Sequence, residues 1–171
     1  MNIEIVKVGY LETNCYILRK ENKVIVIDPG SEPDKIKTKI GQDKIEAILL
    51  THSHFDHIGA LSSFKDIKVY SINNLKEQEY KIGNFIFKVI YTKGHTSDSI
   101  TYYFEKEKIM FTGDFLFKES IGFIDEEKNG NMLDMNNSIN LIKKYDKNII
   151  IYPGHGDKTI LEEELENNPF F

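Results

Sequence analysis

Short apolar runs alternate with polar, turn-rich segments along the chain, which is the pattern of strands joined by turns. The run Phe85–Thr92 alternates between two faces with the period of two that is typical of a strand. Another, Ile45–Leu50, is almost continuously apolar, which is typical of a strand covered on both faces. The runs that predict strands are Ile3–Val8, Cys15–Leu18, Val24–Ile27, Ile45–Leu50, Phe85–Thr92, Ile100–Phe104, Ile109–Phe111 and Ile149–Tyr152.

Helical signals fall among these strands in both halves of the chain. Ser31, with Asp34 three residues later, resembles a helix start and predicts a helix to about Ile40. Glu162–Glu164 is interpreted as the solvated face of a short helix. Sheets packed together with helices outside, an α/β fold, are therefore expected. A further helix is predicted by an apolar stripe at helical spacing, formed by Met135, Ile139, Ile142 and Tyr145.

Composition and charge narrow the class of protein. The 171 residues include 22 Lys and Arg against 27 Asp and Glu, and the net charge of −5 argues against a nucleic-acid partner. This length predicts one domain over residues 1–171. The single cysteine, Cys15, fits a reducing compartment, and it is interpreted as a small buried hydrophobe. No secretory signal or membrane-spanning run is recognisable, so a cytoplasmic protein without a membrane partner is expected.

The densest chemical signal is the segment from Thr51 to His57. It holds four potential metal ligands within six residues, directly after a predicted buried strand. In extended chain, positions i and i+2 point the same way, so His52 and His54 can hold one ion. If a helix then begins at about Ile58, the two remaining ligands of the segment, Asp56 and His57, can reach a second ion.

Three further candidate ligands are placed in the same way as the first segment, just after a predicted strand. His95, Asp114 and His155 each follow a predicted strand, and each has an adjacent glycine. Glycine lets the backbone bend closely around a small site. All five histidines of the chain thus lie just beyond strand ends or in the first cluster, which favours a metal site over chance.

These motifs resemble the metallo-β-lactamase fold superfamily, and the resemblance runs through nearly the whole chain. It implies an αβ/βα four-layer sandwich with a two-metal site at one edge of the sheets. It also implies that His52, His54 and His95 hold one metal, that Asp56, His57 and His155 hold the other, and that Asp114 bridges both. The matching segments are Asn14–Tyr16, Asp28–Gly30, Thr51–His57, Gly94–Thr96, Phe111–Asp114, Pro153–Gly156 and Asn168–Phe170.

Such a ligand set suits zinc, with iron or manganese as other candidates, and it leaves coordination positions for water. The resemblance is strongest to the short, glyoxalase II-like members. It implies a hydrolase in which a metal-bound hydroxide, oriented by Asp56, attacks a small thioester such as a hydroxyacylglutathione. Asp114 at the late acidic position, in place of a cysteine ligand, favours this branch over antibiotic hydrolysis.

Departures from the pattern leave the substrate open. Phe123 replaces a common arginine, and Lys93 replaces a common proline. With only a small helix expected after His155, we expect no C-terminal helical domain of the kind that helps glyoxalase II bind glutathione, so the resemblance does not imply glutathione specificity. An iron-dependent persulfide dioxygenase and a lactone hydrolase are the alternatives. A nuclease of the RNase Z type is disfavoured by the charge, a non-catalytic metal-binding module by the full ligand set, and the oligomeric state stays open.

Overall fold

A computed structural model describes all 171 residues and contains thirteen strands and four α-helices. Single 3₁₀ turns occupy Leu61–Ser63, Glu105–Glu107 and Glu126–Lys128. The helices are α1 (Pro33–Ile40), α2 (Phe55–Ile58), α3 (Met132–Ile142) and α4 (Leu161–Asn167). The strands are β1 (Asn2–Val8), β2 (Thr13–Lys20), β3 (Lys23–Ile27), β4 (Lys44–Leu49), β5 (Val69–Tyr70), β6 (Glu79–Ile82), β7 (Phe85–Tyr91), β8 (Ile100–Phe104), β9 (Ile109–Gly113), β10 (Leu116–Phe117), β11 (Ser120–Ile121), β12 (Ile150–Pro153) and β13 (Thr159–Ile160).

The strands form two main sheets, one from each half of the chain. In the first sheet β1 to β5 lie side by side in chain order, with β1, β2 and β3 antiparallel and β3, β4 and β5 parallel. The second sheet has the order β13-β12-β9-β8-β7-β6, and only its β9–β12 pair is parallel. A small ribbon of β10 and β11 stands apart from both.

Three apolar clusters separate four layers. Ile27 and Phe111 belong to the cluster between the two sheets. Ile36 of α1 packs on the other face of the first sheet, and Ile139 of α3 packs on the other face of the second. Each fully buried side chain of this size contributes about 1.5–3 kcal/mol to the free energy of folding. The layers run helix, sheet, sheet, helix, so the predicted α/β four-layer sandwich is confirmed.

Side chains on the two faces of strand β7 pack in two different apolar clusters. Phe85, Phe87 and Val89 point between the sheets, whereas Ile90 points towards α3. The strand therefore buries apolar side chains on both faces at its carboxyl end, where it leads into the segment that carries His95.

Two local predictions were wrong at helix starts. No side chain caps α1, because the helix begins at Pro33 after Glu32, whose φ of 49° is left-handed. Proline fixes its own φ in the helical range, and the Glu32 carbonyl accepts from the Lys35 N–H at 3.0 Å and the Ile36 N–H at 3.3 Å, so the helix starts without a serine cap. The second helix, α2, begins at Phe55 rather than near Ile58. Asp56 and His57 consequently lie within its single turn.

The interpretation of Glu162–Glu164 as a solvated face was also partly wrong. Glu164 is fully buried, and its carboxylate accepts hydrogen bonds from the Thr159 hydroxyl at 2.6 Å, the Glu119 backbone N–H at 2.8 Å and the Asn168 amide at 2.7 Å. These three donors compensate the cost of burying the charge. This carboxylate joins α4 to the turn between β10 and β11.

Cys15 is buried in strand β2, where burial raises the pKa of its thiol well above the usual value. It packs in the cluster between the first sheet and α1, as a small hydrophobe does. None of the helices combines the length and the apolar character that a crossing of the bilayer requires.

Candidate metal centre

The seven predicted ligands meet at one edge of the sandwich, where strands of both sheets end. Strand β4 leads into the segment that holds His52 and His54, followed by α2. From the second sheet, β7 leads to His95, β9 to Asp114 and β12 to His155. All seven side chains group into two clusters whose potential ligand atoms lie within 4.8 Å of one another in each.

In the first cluster three imidazole rings point at a common space. Nδ1 of His54 lies 3.0 Å from Nε2 of His52 and 2.9 Å from Nε2 of His95. Asp114 faces the same space, with Oδ2 at 3.9 Å from the His95 nitrogen. His52 and His95 are buried, so water does not surround these nitrogen atoms.

The second cluster joins α2 to the loop after β12. Oδ2 of Asp56 lies 3.4 Å from Nε2 of His57 and 3.2 Å from Nε2 of His155. The hydroxyl of Thr13 donates a hydrogen bond to the same Asp56 oxygen at 2.8 Å. The carboxylate is therefore held from the first sheet as well as from its own helix.

Asp114 lies between the two clusters. Its Oδ1 is 3.3 Å from Nε2 of His57, and its Oδ2 is 3.4 Å from Nε2 of His155. Because Oδ2 also faces His95, this one carboxylate reaches both groups of imidazoles. Its geometry is that of a bridge between two adjacent sites.

Every histidine of the site is also held from behind by an oxygen acceptor, and these partners were missed by the sequence analysis. Ring orientation and tautomer of a ligand are commonly set by such a second hydrogen bond. Since each outer nitrogen donates to its acceptor, the nitrogen that faces the site carries the lone pair in the neutral ring. The contacts are His52 Nδ1 to Thr51 Oγ1 (3.0 Å), His54 Nε2 to Asp125 Oδ2 (2.7 Å), His57 Nδ1 to Asp28 Oδ2 (2.9 Å), His95 Nδ1 to the Phe123 carbonyl (2.6 Å) and His155 Nδ1 to the Leu11 carbonyl (3.0 Å).

Asp28 organises two of these contacts. Its carboxylate accepts from the Thr51 N–H at 2.8 Å and from the Thr51 hydroxyl at 2.6 Å, in addition to His57. Because the Thr51 hydroxyl has a single proton, which it donates to Asp28, its lone pair is free to accept from His52. The only sequence signal for this role was the Asp28–Gly30 motif, which the resemblance included without assigning a task to the aspartate.

The residues fit metal ions, judged by their unpaired polar atoms. Nε2 of His57 and Oδ1 of Asp114 are buried and have no hydrogen-bond partner. In the first cluster Nδ1 of His54 lies 3.0 Å from Nε2 of His52 and 2.9 Å from Nε2 of His95, and a cation among these three nitrogens could bind to all of them. Imidazole and carboxylate together are ligands for zinc, iron and manganese.

Electrostatics in the metal-free site differ between the clusters. Burial, with the charge of His57 second, lowers the pKa of His52 well below its usual value, and burial likewise lowers that of His95. Burial opposes the charged form of His57 too, but Asp28 and Asp114 outweigh it and raise its pKa to about 10. For His155, the carboxylates of Asp114 and Asp56 outweigh burial and raise the pKa to about 9.

The carboxylates shift in the opposite direction. Burial alone would raise the pKa of Asp56, but hydrogen bonds from His155 and Thr13, together with the charge of His57, lower it to about 2. The pKa of Asp114 is likewise lowered well below its usual value, because His155 and His57 outweigh the effect of burial. Both carboxylates are therefore ionised at neutral pH.

Gly154 lets the loop after β12 approach this centre. A Cβ atom at this position would lie 2.0 Å from Oδ1 of Asp114 and 2.8 Å from Cε1 of His57. The backbone cannot retreat, because the Gly154 N–H donates to the Gly113 carbonyl at 2.8 Å and its carbonyl accepts from the Asn14 N–H at 2.7 Å. Only glycine fits here.

The model of the metallo-beta-lactamase superfamily matches residues 8–72 and 66–155 of the chain. The chain belongs to this superfamily, and the predicted family is confirmed.

Individual relatives carry different descriptions. A hydroxyacylglutathione hydrolase, GloC of Haemophilus influenzae, is 29% identical over 99% of this chain and 98% of its own length. The crystal structure of the BLEG-1 B3 metallo-beta-lactamase superposes with a TM-score of 0.90 at 31% identity, covering 99% of both chains. TTHA1623 in a di-iron-bound form superposes with a TM-score of 0.87 at 27% identity, covering 98% of this chain and all of that one. The first description names a hydroxyacylglutathione hydrolase, the second a metallo-beta-lactamase and the third a di-iron form, so they do not specify one substrate.

Proposed function

We propose that this protein is a two-metal hydrolase that cleaves small thioesters. One observation carries the proposal: the Asp114 carboxylate lies between two clusters of imidazoles, each with ring nitrogens aimed inwards. We assign His52, His54 and His95 to the first metal and Asp56, His57 and His155 to the second, with Asp114 shared. When bound, such ions supply a water of lowered pKa and polarise a carbonyl oxygen.

The chain's own residues would position the reactants. Asp56 lines a cavity of about 450 Å³ that opens to solvent, together with Asp114, His54 and His155. Ionised at neutral pH and held by Thr13, Asp56 can accept a hydrogen bond from the attacking water and orient it. Hydrolysis then adds the elements of water across the carbon–sulfur bond, which gives a carboxylic acid and a free thiol.

The relatives support a thioester substrate without deciding its identity. The similarity to GloC, whose description names hydroxyacylglutathione, extends over nearly the full length of both chains and makes S-lactoylglutathione the first substrate to test. Zinc is the first metal to test because the donors are imidazole and carboxylate. The di-iron form of TTHA1623 makes iron the second.

The test is steady-state hydrolysis of S-lactoylglutathione by metal-reconstituted protein, with metal content measured on the same sample. We expect turnover in the parent chain, loss of turnover and of both metals in Asp114→Asn, and no change in Asp66→Asn, a control at an exposed turn. His155→Ala should lower occupancy of the second site while the first stays largely filled. Full activity and metal content in Asp114→Asn would refute the bridged two-metal assignment.

The alternative functions would be recognised with other substrates and the same protein sample. A persulfide dioxygenase with one iron at His52, His54, His95 and Asp114 would consume dioxygen in the presence of glutathione persulfide, whereas a hydrolase would not. A lactone hydrolase would open lactone rings and leave thioesters intact. Either result, obtained with protein of known metal content, would replace the thioester proposal.

A further inference from the structure

We propose that the substrate is a thioester whose acyl group is apolar and whose thiol part is uncharged where it lies in the cavity. This inference rests on the proposed function and specifies its substrate class. Four apolar side chains line the cavity: Leu11, Phe55, Phe117 and Phe123. We refer to these four residues as the apolar mouth.

Three of the four side chains of the apolar mouth are exposed to solvent. Phe55 is 66% exposed, Phe123 is 67% exposed and Leu11 is 45% exposed. Single exposed hydrophobes are ordinary, but several gathered around one cavity indicate a surface that a ligand covers. Burying them against an apolar group contributes about 25 cal/mol for each Å² removed from water.

The aromatic rings stand directly beside the proposed metal ligands. The ring of Phe123 stacks on His54 with centroids 6.0 Å apart and an angle of 9° between the planes, and it meets His95 edge to face at 4.9 Å. On the other side, the ring of Phe117 lies 6.2 Å from that of His155. Groups on either side of a carbonyl placed at the metal centre would therefore contact aromatic faces.

No lysine or arginine lines this cavity. Its remaining walls are His54, Asp56, Asp114 and His155. An adjoining depression beyond Phe117 does contain Lys118, but Glu119 and Asp157 lie in the same depression. Glutathione carries carboxylates at both ends, and these would meet no cationic side chain on the cavity wall.

The net charge of the protein gives an anionic substrate no help. The chain alone carries −5, and two divalent ions would bring this to −1, so the metal-loaded protein would provide no net long-range attraction for an anion. An uncharged thiol needs no such attraction, and an aliphatic or aromatic acyl group gains by covering Phe55 and Phe123. Both considerations select the same class of thioester.

Four probes separate the contributions of the acyl group and the thiol: butyryl and lactoyl thioesters, each on N-acetylcysteamine and on glutathione. For metal-reconstituted protein we expect kcat/KM to be about tenfold higher for S-butyryl-N-acetylcysteamine than for S-lactoylglutathione, with the two mixed probes between them. Equal values, or a preference for S-lactoylglutathione, would refute the inference and leave thioester hydrolysis standing. Hydrolysis of none of the four by a demonstrably two-metal protein would refute the proposed function, and the inference with it.

Variants of Phe123 test the apolar mouth itself. Phe123→Arg places a cation in the apolar mouth. At unchanged metal content, we expect the ratio of kcat/KM for S-butyryl-N-acetylcysteamine to kcat/KM for S-lactoylglutathione to fall about tenfold. Phe123→Ala should raise KM for the butyryl probes, since it removes apolar contact area. Ile86→Arg is the matched control, because Ile86 is 47% exposed and lies near the opposite end of β7 from His95. An unchanged preference in Phe123→Arg would contradict the assignment.

Discussion

The carboxylate of Asp28 accepts a hydrogen bond from Nδ1 of His57 at 2.9 Å, and both side chains are buried. The same carboxylate accepts from Thr51, which in turn accepts from His52. One aspartate outside the proposed ligand set thus orients a histidine in each cluster. Its contribution is expected to appear as metal affinity, since it touches no substrate.

We expect Asp28→Asn to weaken metal binding about 10–100-fold while the chain still folds. Asparagine would present an amide N–H where Oδ2 now accepts from His57 and Thr51, so donors would face donors. Competition with a chelator of known affinity measures the effect, with Asp66→Asn as control. Unchanged metal affinity in Asp28→Asn would show that His57 is oriented without this carboxylate.

Gly154→Ala should reduce metal content and lower activity more than about tenfold. The new methyl group would overlap Oδ1 of Asp114, and backbone hydrogen bonds on both sides hold the residue in place. Gly156→Asn is the matched control, because a Cβ there meets nothing within 4 Å and asparagine tolerates its φ of 72°. Wild-type metal content in Gly154→Ala would mean that the loop can shift after all.

The metal-free protein should lose stability as the pH rises from about 7 to 9. The pKa of His57 is raised to about 10 and that of His155 to about 9, against 6.5 for an unperturbed histidine, so the folded chain holds more protons than the unfolded one in this range. Their stabilising effect is complete below about 6.5 and is lost as the pH passes through the raised values. Thermal melts of chelator-treated protein measure this. A melting temperature that rises with pH would contradict it, and metal-loaded protein should show a smaller decline.

Glu164→Gln should destabilise the fold by about 1–3 kcal/mol without changing metal content. Both carboxylate oxygens now accept hydrogen bonds, and a glutamine can present only one oxygen to Thr159 on one side and to Glu119 and Asn168 on the other. Denaturant unfolding measures the loss. Glu166→Gln, at an exposed position of the same helix, is the control and should unfold like the parent chain.

Long elements of the fold were predictable from the sequence, and short or tertiary features were not. The runs that became β1, β4 and β7 carry clear apolar patterns, whereas the two-residue strands such as β5 and β13 are too short to show a period. Glu164 looked solvated because a run of three glutamates is usually exposed. Its burial depends on donors from Glu119 and Thr159, which only the folded chain brings near.

Some residues of the proposed site were likewise predictable from the sequence, and others were not. The rule that candidate ligands follow strand ends placed His95, Asp114 and His155 where the structure has them, at one edge of the sandwich. Their role as ligands stays a prediction. The hydrogen-bond acceptors of the histidine rings were not predictable. Nothing in the sequence around Asp125, for example, indicates its contact with His54, which is 71 residues away.

Both proposed metal sites draw ligands from both halves of the chain. The first half supplies the residues up to His57, and the second supplies His95, Asp114 and His155. Neither half alone contains a complete set for either ion, so a folding intermediate with only one sheet formed could bind metal only weakly. Metal ions would then hold the two halves together only late in folding. Conditions that scavenge metal during synthesis would let the halves separate more readily.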